Sequence, residues 1–396
     1  HVNQSNILDM KRYISLDVLR GVTVAFMCIV NNPGSWGMIF PPLRHAGWDG
    51  CTPTDLVYPF FVFCMGCAMA FSFSKYDGIC KAALKKIITR GVALFLIGFL
   101  LTLYPFFPTS LHDCDQSFWD NFMYWLGHKR IFGVLQRIGI SYVISGIIAL
   151  WLKKPGKIMG AIATLFVVYT GILVLFGSDP GPFTLEGNVS GKIDVALVGS
   201  DHVYHGYRLP SGDRADFDPE GLLGGLMGAC SALLGYLIGD VILKSSRKHA
   251  QNPSDATCAP AYTVARIFVY GCISLALAEI LSIWVPINKP LWSASYVLYA
   301  GGWAMVVLAF LAFVIDVKGI EKPFRVFKIM GTNALMAFIL SAVIVKTLSL
   351  FGFSSAAYFG ANEFTSLLWA LIFASIIFCI QWIMYKKNII TMPSSL

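Results

Sequence analysis

Residues 41–75 read "PPLRHAGWDGCTPTDLVYPFFVFCMGCAMAFSFSK", and their character changes in the middle. The first part is polar and turn-rich, with one histidine, one tryptophan and one carboxylate, Asp49. The second part, from about 54 to 74, is an apolar run long enough to cross a hydrocarbon core of about 30 Å. A carboxylate, Asp55, stands where the two meet. That junction raises two questions: how many such runs the chain has, and why His45, Asp49 and Asp55 gather at the edge of one.

The chain of 396 residues is 56% hydrophobic and 13% charged. Soluble domains lie nearer about 45–50% apolar and about 25% charged. The apolar excess falls in runs near 16–39, 54–74, 87–107, 131–152, 157–177, 220–243, 264–285, 296–316, 325–348 and 364–385. The expectation is an all-α polytopic membrane protein of about ten transmembrane helices. Residues 1–396 form one bundle, because a lipid-exposed backbone must satisfy its own hydrogen bonds. The first run carries Asp17 and Arg20 near its start and has no small-residue cleavage site, so it reads as a span rather than a leader.

Lysine and arginine fall unequally on alternate sides of these spans. Twenty lie on the side of both termini, seven on the other and three within spans. The positive-inside rule therefore puts both termini in the cytoplasm. The net charge of +8 is accounted for by this bias and gives no reason to expect a nucleic-acid partner. The 41–53 stretch then lies outside, as does the longest connection, 178–219 between spans 5 and 6. A Gly-, Pro- and Asp-rich loop of that length is expected to be an ordered cap over the outer mouth. Within it "KIDVALVG" (192–199) reads as a short strand, and Asn188-Val-Ser190 matches a glycosylation pattern.

Several patterns support no special chemistry. Most of the ten cysteines lie in apolar spans, where a thiol behaves as a small hydrophobe. Cys64-x-x-Cys67 and His202-x-x-His205 lack further ligands, so no metal is expected. The pairs Gly224/Gly228 and Gly235/Gly239 indicate close helix packing. Cys51 and Cys114, both outside, are the pair that an oxidising compartment would allow to bond.

Charges inside spans are functional candidates by default. Asp17 and Arg20 share a helix face, either as an ion pair or with Arg20 as an anion contact. Gln136 and Arg137 sit within span 4, too deep to snorkel, and are assigned to a ligand or pathway. Glu279 and Lys346 are weaker cases, read either as functional charges or as a structural pair with each other. Asp218 and Glu220 open span 6 at the outer mouth, where capping explains them and a substrate role stays open. Asp55 sits at membrane depth, where an unpaired carboxylate is costly. His45, from the preceding loop, relieves that cost, and a His–Asp pair makes a general base of fixed tautomer. The amides of Asn31 and Asn32 reach the same region and can stabilise an oxyanion.

With these residues in view, "SLDVLRGVTVAFMCIVNNPGSW", "RHAGWDGCTPTDLVYPFFVF", "GVLQRIGISY", "FDPEGLLG", "KPLWSASYVLYAGG" and "GTNALMAF" resemble segments of the heparan-α-glucosaminide N-acetyltransferase family and its bacterial relatives. The resemblance implies an acetyl-CoA-dependent N-acetyltransferase acting on a glucosamine-type amine. It implies His45 as the active-site histidine, as general base or acetyl carrier, Asn31 as its neighbour, and often a homodimer. It also implies a bacterial inner-membrane location with the site facing the periplasm. Asp49 departs from the Asn or other polar residue usual there, so the acyl transfer is implied more firmly than the sugar.

On this reading acetyl-CoA enters from the cytoplasm, with Arg20 and Arg90 near its phosphates and Gln136 and Arg137 along its path. The sugar meets Trp48, Asp49, Asp218 and Glu220 outside. The competing classes are a multi-span transporter and a membrane O-acyltransferase. A transporter is disfavoured by the lack of any repeat between halves.

Overall fold

The computed structural model describes residues 13–389 apart from 110, 111, 114, 116, 256 and 258. Lys11, Arg12 and Cys114 lie outside the described residues. In chain order the helices are α1 (Ile14–Val30), α2 (Val57–Phe73), α3 (Lys81–Leu103), α4 (Phe118–Gly127), α5 (Val134–Leu152), α6 (Pro155–Phe176) and α7 (Val189–Val198). They continue with α8 (Leu222–Gln251), α9 (Pro260–Ser282), α10 (Ala294–Ala312), α11 (Arg325–Thr332), α12 (Ala334–Leu350), α13 (Ser355–Phe359) and α14 (Glu363–Lys386). Among the described residues the only β pairing is two isolated bridges.

Eight helical segments are long and apolar enough to cross a bilayer, and a ninth is added if α11 and α12, bent by 72°, count as one span. α1, with 17 residues, is shorter than these. The chain is therefore an all-α polytopic membrane protein. Its centre is the seam between α2 and α8, whose span windows are each 72% buried, against 17–28% for α3, α6, α9 and α14. Gly235 and Gly239 of α8 lie against the Phe63 and Cys67 carbonyls of α2 so closely that neither leaves room for a Cβ. Small residues at this spacing let two backbones meet where apolar side chains gain nothing over lipid.

Three expectations change. The first span stops at Val30, not 39, because Pro33 disfavours helix at the residue before it. This frees residues 31–52 to fold over the mouth. The segment read as a strand is α7. Asn188 caps it by accepting from the Gly191 N–H, and Gly199, at φ +87°, ends it. Its buried residues, Ser190, Gly191 and Asp194, follow a helical period, and the alternating Leu197 points outward. Asn188 itself is 2% exposed and committed to this cap, so the glycosylation pattern is not an accessible acceptor. Third, Lys346 does not pair with Glu279. Its ammonium donates to the Leu101 and Tyr104 carbonyls at the end of α3 (2.5 and 3.3 Å), while Glu279 is exposed on α9. Those carbonyls carry the negative end of the helix dipole. Asp17 and Arg20 do form an ion pair, at 3.7 Å.

Candidate active site

The loop bearing His45 is held from both sides. Trp48 Nε1 donates to the Phe183 carbonyl (2.7 Å), and its ring packs edge-on against Tyr207 and Phe217 of the cap. On the other side the Gly50 N–H donates to the Ile287 carbonyl (2.7 Å). Asn288 donates to the Trp48 carbonyl and to Asp49 Oδ1, both at 3.0 Å. Asn288 is fully buried and also receives the Leu291 N–H. Trp48 and Asp49 thus act as struts between the loop, the cap and residues 286–289.

The chain re-enters a helix through one 3₁₀ turn, Pro53–Leu56, with Thr52 at its N-cap. Asp55, at the third position, turns its carboxylate back to accept the Thr52 N–H (3.0 Å). The same carboxylate gathers the site. Its Oδ2 accepts the Ala46 N–H (2.9 Å), and its Oδ1 lies 2.6 Å from His45 Nδ1 and 3.1 Å from Lys289 Nζ. Asp55 is 1% exposed, so every one of these donors offsets the cost of burying a carboxylate. Tyr296 of α10 anchors the turn from beneath, donating its hydroxyl to the Asp55 carbonyl (2.6 Å).

The tautomer of His45 follows from this arrangement. A carboxylate only accepts, so the 2.6 Å contact requires the proton on Nδ1. Lys289 Nζ lies 3.2 Å from the same nitrogen and on this tautomer acts on Asp55, not on the ring. Nε2 is left with its lone pair, without a protein partner among the described residues, on a side chain 43% exposed. Cys51, next in line as a nucleophile, is ruled out by its surroundings. Burial, with the nearby Asp55 charge, pushes its thiol up to about 12.

A cavity of about 170 Å³ opens beside His45 and runs inward between α1, α2, α5 and α12. Asn31, Met27 and Thr23 line it along α1, a depth of about 12 Å at 1.5 Å per residue. Lys289 and Glu220 stand on its wall with His45, and Phe61, Ile138 and Phe338 make it apolar further in. Pockets for whole ligands are about 300–1,000 Å³. This one is smaller than that range.

The other candidates are distributed as follows. Arg130 grips Asp218 with both ends of its guanidinium (2.6 and 2.8 Å), contacts Glu220 and stacks on Tyr204. Arg137, 1% exposed, donates to the Pro219 carbonyl and stacks on Trp292. Gln136 donates to the Ile131 carbonyl (3.0 Å). Neither lines the His45 cavity. Arg20 and Arg90 lie towards the opposite ends of α1 and α3 from the mouth, Arg90 within 3.5 Å of the Tyr142 hydroxyl. Cys51 carries a free thiol. His202 is bound to the Lys129 carbonyl and His205 to Asp216, which separates their roles.

Sequence reasoning missed Lys289, Asn288 and Tyr296. A signal was present: Lys289 opens the "KPLWSASY" segment at an outer helix end, on a side of the membrane poor in cations. What it pairs with lies more than 230 residues earlier.

Fold and site together define a polytopic helical membrane protein with a carboxylate-held histidine at one mouth. The family model for "Heparan-alpha-glucosaminide N-acetyltransferase, catalytic" matches residues 12–179, which include that histidine and its aspartate. The chain is 30% identical to the human heparan-alpha-glucosaminide N-acetyltransferase, over 78% of this chain and 50% of that protein. It is 28% identical to the mouse protein of the same name, over 77% and 49%. By these matches the chain is similar to the heparan-alpha-glucosaminide N-acetyltransferases. It spans about half the length of the curated relatives it matches.

Proposed function

We propose that this protein is a transmembrane N-acetyltransferase that moves an acetyl group from cytoplasmic acetyl-CoA to the amine of a glucosamine-type sugar at the outer face. The observation that carries this reading is the His45–Asp55 pair at the head of a narrow cavity running inward past Asn31 and Thr23. The slot suits a long neutral thioester arm. The phosphates would stay at the inner end, where Arg20 and Arg90 are the assigned cations. Both termini are then cytoplasmic, and the mouth faces the periplasm of a bacterial inner membrane.

His45 Nε2 acts as general base. As the sugar nitrogen attacks the thioester carbonyl, a C–N bond forms and Nε2 accepts the proton from nitrogen. The C–S bond then breaks, and the leaving thiolate takes that proton back from the imidazolium. Asp55 holds the ring in the required tautomer and stabilises its charged form. Asn31, on the cavity wall, is assigned to the carbonyl oxygen as negative charge develops there. Glu220, on the same wall, faces the incoming amine, while Trp48 and Asp49 brace the His45 loop and Asp218 stays buried against Arg130.

The test is release of CoA thiol by the purified protein with acetyl-CoA and glucosamine, against glucose, which lacks the amine. Thiol release and N-acetylglucosamine formation with glucosamine alone are expected. No release with either sugar, but sugar uptake into vesicles, would replace this reading with a transporter. Equal release with both sugars would replace it with an O-acyltransferase.

A further inference from the structure

A second cavity, wider than the one beside His45, lies on a face of α8 different from the one packed on α2. It measures about 690 Å³ and is walled by α6, α8, α9 and α10. Its lining runs from Leu234 to Lys248 on α8 and from Tyr262 to Leu277 on α9. These are antiparallel stretches of about 21 and 22 Å at 1.5 Å per residue. That is more than half of a core about 30 Å thick, or one leaflet deep.

The crevice is two-faced. Its upper length is apolar, with Leu234, Leu237, Ile273, Leu277 and Leu298 among the walls. Its lower end carries Lys244, Lys248 and Arg266 with the hydroxyl groups of Thr257 and Tyr262. One carboxylate, Asp240, also lines it and is paired with Lys244 at 2.7 Å. Lys248 and Arg266 remain in excess, and Arg266 is steadied by the Tyr270 hydroxyl at 3.1 Å. This end belongs to the lysine- and arginine-rich side of the chain, which the charge bias puts in the cytoplasm. α9 leans on α10, where Ser274 donates to the Leu298 carbonyl (2.7 Å). It meets α8 at the foot through Ser245 and Thr263, and the slot stands open above that contact.

We propose that this crevice is a binding site for one anionic glycerophospholipid of the inner leaflet. The phosphate sits between Lys248 and Arg266, and an acyl chain lies along the apolar slot. Charge decides against a second copy of this chain as the occupant. A two-fold pair in one membrane brings the same inner ends together, and lysine and arginine would meet lysine and arginine. An anionic head group over a cationic foot is complementary, and an acyl chain has the length and chemistry of the slot.

The experiment uses the full chain purified in neutral detergent. Phosphatidylglycerol or phosphatidylcholine is added, bound lipid is counted by native mass spectrometry, and thermal unfolding is followed. Phosphatidylglycerol is expected to be retained and to raise Tm above the value in phosphatidylcholine. K248Q/R266Q should weaken phosphatidylglycerol on the order of 30-fold, with Tm in phosphatidylcholine unchanged. K248R/R266K should restore it. Ser274→Trp should expel the lipid while leaving the cations in place. Equal behaviour of the two lipids, or full retention by K248Q/R266Q, overturns the proposal. So does an equal Tm rise with glycerol phosphate alone, which marks an anion site only. Efficient disulfide cross-linking of Leu277→Cys between copies also overturns it, because a second chain then covers the slot.

Discussion

Two charged clusters border the outer cavity, and they treat their charges differently. Around Arg130, every charged group is held by a contact within the cluster. Asp218 takes both ends of the guanidinium, Glu220 adds a second carboxylate, and Tyr204 covers the face. Around Asp55, the partners also converge, but the histidine among them keeps one nitrogen uncommitted and is 43% exposed. The first arrangement holds the cap to the start of α8. The second holds the His45 ring in place while leaving its Nε2 outside the network. A charge cluster at a membrane boundary is therefore read by what it leaves over, not by how many charges it contains.

The sharpest test of that contrast is His45→Ala. Turnover with acetyl-CoA and glucosamine should fall by about 10²–10⁴-fold, the usual contribution of a general base. The melting temperature should fall only modestly, since the loss opens no core cavity and Lys289, Ala46 and Thr52 still donate to the buried Asp55. Near-normal turnover would move the chemistry out of this cluster and make Asp49, Asp218 and Glu220 the next candidates.

Arg130→Ala should do the opposite. It leaves Asp218, whose side chain is fully buried, without its cation, and breaking such a pair costs about 3–5 kcal/mol. Unfolding in detergent should show the loss, with activity per folded molecule largely kept. A variant that stays stable but loses its chemistry would erase the distinction between the clusters.

Lys289→Ala probes the site at one remove. Losing one charge-assisted contact to Asp55 should lower kcat by about tenfold, or about 1.4 kcal/mol. KM for the sugar should change little, and Lys289→Arg should recover part of the rate. An unchanged kcat would leave His45 and Asp55 as a self-sufficient pair.

The smallest effect concerns pH. Asp194, in the cap, accepts the Leu222 N–H at the start of α8, which favours its charged form. Burial outweighs this and, with Asp218 nearby, pushes its carboxyl up to about 7. The folded chain then keeps a proton that the unfolded chain loses above about pH 4. Stability from this group is full below about pH 4 and declines as pH rises to about 7. Asp194→Asn should flatten that decline, so its Tm relative to the parent should rise between pH 5 and pH 7.5. A constant difference would remove Asp194 as the source.

Much of this was legible in the sequence for local reasons. Apolar run length marks a span without knowledge of its neighbours, because the bilayer sets the length. His45 and Asp55 were linked across ten residues, because a carboxylate at membrane depth demands a nearby donor. Errors arose where local signals competed. The alternation in "KIDVALVG" suggested a strand, but Asn188 and Gly199 supply stronger helix start and stop signals. Met38, Ile39 and Phe40, beyond the turn, made the first span look longer and hid the helix end that Pro33 imposes.

By itself the sequence determined a helical membrane protein, its charge-biased sides and a histidine–aspartate junction, since each depends on neighbours along the chain and on the solvent. Only the tertiary structure decided who meets whom from afar. It brought Lys289 and Tyr296 to Asp55, gave Lys346 to the end of α3 rather than to Glu279, and set Arg137 on Trp292. The reason is physical. A buried charge must find some donor or acceptor, but its type states only the need. The packing of helices hundreds of residues apart supplies the partner.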